Sequence, residues 1–172
     1  MATRNFSAGQ WTPTATADGT NLANGTYMAV QGGSSTQQIN INEVLITGEA
    51  TASAVTYLQL ARDSQVGAST TALAAPNSDG PQDPATAALA APPVTYVAQS
   101  GTAPQRSNST SLSRLRFSFN TYGGIVKWNP WSSGMTFVIY GNTASNGEAS
   151  LSAFTGSSGS AQVSAHILYE PL

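Results

Sequence analysis

Apolar and polar residues alternate with a period of two in several separate stretches of the chain, and no stretch carries a convincing helical period. The clearest stretch is 37–48. Ile39 and Ile41 alternate with Asn40 and Asn42, then Val44, Leu45 and Ile46 run apolar up to Gly48. The phase changes near Glu43 and Val44. One long strand with a β-bulge there is predicted, because an inserted residue changes the phase of the alternation. Residues 53–62 predict a second strand, with Ala54, Thr56, Leu58 and Leu60 on its core face. Residues 112–122 predict a third. Leu115, Phe117 and Phe119 line one side of it, and Arg114, Arg116 and Ser118 the other. Shorter strands are read at 25–30, 94–98 (an edge strand), 125–128, 135–140 (buried on both faces), 147–154 and 162–170. In the last of these Val163, Ala165, Ile167 and Tyr169 share a face. Turns rich in Gly, Asn, Ser and Pro separate these runs, and together they call for an all-β sandwich or barrel.

The remaining segments have no such period. Residues 1–24 are small and polar apart from Phe6 and Trp11, and read as an extended arm preceding a single domain at 25–172. Six of the nine prolines fall between Ala75 and Pro104, which marks about 75–110 as a long excursion from that domain. Pro84 followed by the Ala-rich 85–91 allows one or two helical turns, which Pro92-Pro93 would end. Residues 155–161 read as a flexible loop.

Composition narrows the function. At 172 residues the chain can bury roughly 70% of its unfolded surface as one domain. Its 40% hydrophobic content leans on 26 alanines, and charged residues are only 8%, against roughly 25% in an average domain. Six basic and eight acidic residues cannot make a phosphate-tracking surface, so nucleic acid is not an expected partner. No apolar run approaches the roughly 20 residues of a membrane span, and the first residues lack the apolar core of a secretory signal. There is no Cys and one His, which removes thiolate chemistry and most metal sites. No cofactor is expected.

Candidate chemistry is sparse. His166 and Glu170 fall on one face of the last strand, but with Ser so abundant an imagined relay with a serine carries no weight. Asp79 and Asp83 flank Gly80-Pro81-Gln82 at a spacing that fits no calcium loop, and read as turn acids. Arg106, Arg114 and Arg116 place half of the basic residues within eleven positions, and a sheet face carrying them could pair with acids on another protein. Trp128 and Trp131 bracket Asn129-Pro130, either as an exposed aromatic contact or as a cap on the sandwich end. With Trp11, these residues form the expected protein interface: Trp11, Arg106, Arg114, Arg116, Trp128 and Trp131. No enzymatic activity is expected.

Four segments in order carry a family resemblance: Ile41-Asn-Glu-Val-Leu-Ile-Thr-Gly-Glu-Ala50, Leu58-Gln-Leu-Ala-Arg-Asp-Ser-Gln-Val-Gly67, Phe117-Ser-Phe-Asn-Thr-Tyr-Gly-Gly-Ile-Val-Lys-Trp128 and Ala165-His-Ile-Leu-Tyr-Glu170, with the Ala/Pro excursion between the second and third. Over residues 25–172 the chain resembles the capsid decoration (cement) proteins of tailed bacteriophages. That resemblance implies a jelly-roll-like antiparallel β-sandwich of about eight strands with long loops, assembled as a homotrimer. It also implies a place on the virion exterior, reached after synthesis in the host cytoplasm, with the major capsid protein as partner. Two other readings stand beside it: a receptor- or carbohydrate-binding head domain of a phage tail fibre, and a small shell-forming coat protein.

Overall fold

In a computed structural model the chain folds into β-strands joined by turns and loops. The structure describes residues 4–10, 23–63, 66, 70–73, 80–83, 85, 89–99, 113–131, 136–143, 146–154 and 163–172. Among these are twelve strands and no helix: β1 (Phe6–Gln10), β2 (Ala23–Gln31), β3 (Gln38–Gly48), β4 (Val55–Arg62), β5 (Thr70–Ala72), β6 (Gly80–Pro81), β7 (Val94–Gln99), β8 (Ser113–Asn120), β9 (Ile125–Trp128), β10 (Phe137–Tyr140), β11 (Glu148–Phe154) and β12 (Val163–Pro171). They form two antiparallel sheets that enclose one apolar core. The first runs β10-β3-β12-β1-β6, with β9 also paired to β3; the second runs β5-β7-β2-β11-β4-β8.

The core follows from the alternation. Ile39, Ile41, Val44 and Ile46 of β3 are buried, as are Val163, Ala165, Ile167 and Tyr169 of β12. Against them lie Leu58 and Leu60 of β4, Leu151 of β11, and Met28 and Val30 of β2. Each large aliphatic side chain buried here contributes roughly 1.5–3 kcal/mol. The expected bulge is present. Ile41 sits opposite Tyr169 and Glu43 opposite Leu168, so Asn42 is the extra residue. Without it Val44 and Ile46 would turn outward, since a one-residue slip exchanges the two faces of a strand.

A corner joins the sheets. The β3–β4 and β8–β9 connections cross between them side by side. The Gly48 amide donates to the Gly124 carbonyl (2.8 Å), that of Ala50 to Thr121 (3.0 Å) and that of Thr121 to Ala54 (3.0 Å). A side chain at Gly48 would run into the Thr121 backbone, so this crossing requires glycine. Gly123 turns the second connection with φ +73°.

Several details differ from the sequence reading. There are twelve strands, not about eight, because short pieces such as β5 and β6 carry too few residues to show a period. Within the segment read as an arm, Phe6–Gln10 forms β1, hydrogen-bonded along β12, with Phe6 and Ala8 buried and the Phe6 ring stacked on Tyr169 at 6.0 Å. Two inward residues, one of them alanine, gave no legible alternation. β7 is interior, between β5 and β2; Pro92 and Pro93 precede it and so remove none of its ladder bonds. β10 is an edge strand with Tyr140 exposed, rather than buried on both faces, because β3 is its only strand partner among the described residues. Of the suggested helical turns, Ala85 is a turn, Leu89 is irregular and Ala90 and Ala91 are bends; 86–88 lie outside the described residues, as do the loop at 155–161 and Asp79.

Candidate functional site

β3 receives β12 without interruption along one edge. Its other edge is shared by two short strands, β9 at Val44–Thr47 and β10 at Gln38–Ile41. Between them residues 129–131 leave the sheet after β9 and Thr136 leads into β10, opposite the bulge; 132–135 lie outside the described residues. β8 ends the other sheet on the same side of the sandwich. The turn at Thr121–Gly124 closes this side near the corner, and away from the corner it opens into a groove of about 270 Å³.

Each wall of the groove comes from a different element. Leu115 of β8 and Arg62 of β4 form one side, Trp128 of β9 and Phe137 of β10 the other, and Pro130 and Trp131 of the departing loop form its lip, with Thr136 where the loop returns. Trp128 is half-buried and packs against the core, whereas Trp131 is 96% exposed. Asn129-Pro130 accounts for the difference, since proline has no amide to continue the ladder and turns the chain outward. Arg62 is fixed in place across the sandwich. Its Nε donates to the Val138 carbonyl at 2.6 Å, and its guanidinium lies 5.2 Å from the centre of the Phe137 ring. It is the one charged residue of the lining. The groove therefore combines a clamped arginine with an aromatic floor.

The sequence-predicted interface residues divide as follows. Trp128 and Trp131 come together in the groove. Arg116 is exposed on the outward face of β8, opposite Gln59. Arg114 occupies a break in register: Leu60 pairs with Leu115 and Ala61 with Ser113, leaving Arg114 as the inserted residue. Trp11 and Arg106 lie outside the described residues. Sequence reading missed Arg62 and Phe137, whose significance depends on a contact across 76 residues of chain.

A second cluster lies at the far end of β4, one residue beyond Arg62. Asp63 and Glu148 are fully buried on the outward side of their sheet, with Gln59, Ser150 and Ser152 also buried there. Ser150 Oγ donates to Asp63 Oδ1 at 2.6 Å, and the Asp63 amide donates to the Glu148 carbonyl at 3.1 Å. Burial holds the Asp63 carboxyl well above the usual carboxylate range. The hydrogen bond and negative charge of Glu148 add to this shift, and the Ser150 hydrogen bond opposes it. Both carboxyls are fully buried, which leaves no opening for a solute. The cluster is structural.

The other titratable candidates stand apart. His166 lies on the outward side of β12, opposite Gly9 and Leu45. Asp83 is exposed and its Oδ1 accepts the Ala85 amide at 2.9 Å, an ordinary turn cap. No group of three or more His, Cys, Asp or Glu that could hold a metal ion occurs among the described residues. No helix among the described residues is long and apolar enough to cross a membrane. No protein-family model matches the chain, and no curated protein or solved structure is significantly similar to it.

Proposed function

We propose that this chain is a non-enzymatic structural protein of a virus particle, a decoration protein that binds the outside of a tailed-phage head. There it stabilises contacts between major capsid proteins. The observation that carries the reading is the groove: a rigid sandwich presents a fully exposed Trp131 beside a clamped Arg62. Protein interfaces favour that pair of residue types at their centres. The segment resemblance supplies the particular setting. The sparse charge agrees with it, because copies placed side by side repel one another little. A homotrimer would attach through several such grooves at once, and linked weak contacts give binding far tighter than one alone.

The test is quantitative mass spectrometry of purified particles, counting this chain against the most abundant shell protein. The expected result is a near-stoichiometric count, with a second protein forming the main shell. Absence from particles overturns the reading. Trp131, Tyr122 and Tyr140 are all exposed, and this favours one alternative, a carbohydrate-binding tail-fibre head, since sugars stack on open aromatic rings. A few copies per particle, together with glycan binding, would establish that alternative instead.

A further inference from the structure

The first strand is held by distant parts of the chain. β1 pairs along its whole length with Ala165–Tyr169 of β12, and its first two residues also pair with Gly80–Pro81 of β6. Phe6 and Ala8 point into the core, with the Phe6 ring stacked on Tyr169. Further bonds fix its beginning. Asn42 Nδ2 donates to Asn5 Oδ1 at 3.2 Å, the Gln82 amide to the Asn5 carbonyl at 2.8 Å, and Gln82 Nε2 to Ser7 Oγ at 2.8 Å. Of these partners Asn42 is the nearest along the chain, and it stands 37 residues from Asn5. β2, the strand that follows β1, belongs to the other sheet. β1 is thus placed by the slot between β12 and β6 and not by its neighbours in sequence.

The connection from β1 to β2 is longer than the crossing requires. β1 ends at Gln10, opposite Ala165, and β2 begins at Ala23, opposite Phe154, so both ends lie where β11 passes into β12. Packed sheets are about 10 Å apart, which about three extended residues cover. The connection comprises residues 11–22, which lie outside the described residues. A segment of that length reaches up to about 40 Å, roughly the breadth of a domain of this size. It is therefore long enough for β1 to occupy the slot of an adjoining copy. Two inward side chains are also a small anchorage, and an end strand of this kind opens at a lower free energy than the whole fold. The same ladder, ring stack and side-chain bonds form whether β1 belongs to the same copy or to another. Concentration, not bond strength, then decides between the two arrangements.

We propose that β1 is exchanged between copies of this chain. Phe6–Gln10 of one copy fill the slot between β12 and β6 of a second, and the donated strand is the joint that holds copies together. The slot selects its occupant. It takes an aromatic ring over Tyr169, a small residue opposite Ile167, and glycine at the next position, where a Cβ would approach His166 to 3.1 Å. Phe6, Ala8 and Gly9 of every copy meet these demands. The inference goes beyond the capsid reading and does not rest on it.

The natural chain has no cysteine, so introduced thiols pair without competition. Ser7 and Leu168 are partly exposed and face each other across the ladder. Residues so placed have Cα atoms about 4.5–5.5 Å apart, within disulfide range. The full chain carrying both Ser7→Cys and Leu168→Cys is refolded from urea, oxidised with diamide and run on a denaturing gel without reductant. The expected product is chains linked from position 7 of one to position 168 of the next, identified by mass spectrometry of the joined peptides. Singly substituted copies refolded as a mixture give the same link. Ser7→Cys mixed with Ser164→Cys, out of register on the same strand pair, gives less than about a tenth as much. Sedimentation shows the unaltered chain as an oligomer, which Phe6→Ala weakens at least about tenfold. A disulfide confined to single chains, no disulfide in either arrangement, a monomeric unaltered chain, or an oligomer unaffected by Phe6→Ala overturns the proposal. The cysteines replace outward side chains, so the cross-linking decides the matter if Phe6→Ala fails to fold. Exchange by a chain that is absent from virus particles would retain the joint and discard the capsid setting.

Discussion

The two edges of β3 make the most instructive comparison in this molecule. Both run past the same inserted residue, Asn42. On one edge β12 absorbs the insertion by a single shift of register and continues, placing Tyr169 and Ile167 in the core on either side of it. On the other edge the partner breaks into β9 and β10, and residues 129–131 leave the sheet at the bulge. One irregularity thus yields a sealed ladder on one side and a displayed tryptophan on the other. What differs is the partner sequence. Val163 to Pro171 alternates cleanly in burial, whereas Asn129-Pro130 follows directly on Trp128 and cannot extend a ladder.

Deleting Asn42 should break the comparison most completely. The deletion reverses the faces of one half of β3, and the expected outcome is loss of the cooperative unfolding transition in urea, followed by circular dichroism. Truncation on the sealed edge comes next. Ile167→Ala should cost about 2–5 kcal/mol of unfolding free energy by the same measurement. On the open side Arg62→Met removes the clasp to Val138 and the contact with Phe137, for an expected loss of about 1–3 kcal/mol. The smallest effect belongs to Trp131→Ala, which should change stability by less than about 0.5 kcal/mol because the side chain is almost wholly exposed.

Asp63, next to Arg62 and turned to the other face, sharpens the contrast through pH. Its folded carboxyl holds a proton well above the ordinary value of 3.8. The folded state therefore binds more protons than the unfolded chain once pH exceeds that value. This group's contribution is fully favourable below the ordinary carboxyl range and is lost as pH rises toward the elevated folded value. Asp63→Asn should remove that slope, at most about 1.4 kcal/mol per pH unit for one proton, in denaturation curves measured from pH 4 upward. An unchanged slope would show that Asp63 does not hold the proton.

Much of this architecture was legible from local pattern. β3 with its bulge, the core face of β4 and the inward set Val163, Ala165, Ile167 and Tyr169 each repeat often enough to declare a face. β1 was not legible, since only Phe6 and Ala8 point inward and its order comes from the β12 ladder. The groove was half legible: Trp128 and Trp131 stand out in sequence, but Arg62 acquires its role from a carbonyl in a distant strand. The buried carboxyls show the same limit, because nothing near Asp63 in the chain announces Glu148. Pairings of this kind are made by topology, and a local pattern carries no trace of them.

The position of β12 also governs the order in which the molecule can be made. It lies between β3 and β1, and Phe6–Gln10 complete their ladder only at Ala165–Tyr169, since β6 pairs with Phe6 and Ser7 alone. At roughly 5–20 residues per second, a ribosome needs on the order of ten to thirty seconds to supply those partners. Throughout that interval one edge of β3 and the facing edge of β1 are unzipped, so the first sheet closes as a late event. The nascent chain spends its synthesis with Phe6 and the isoleucines of β3 in search of cover, the period in which association with other unfinished chains, or shielding by a chaperone, decides how much of it folds.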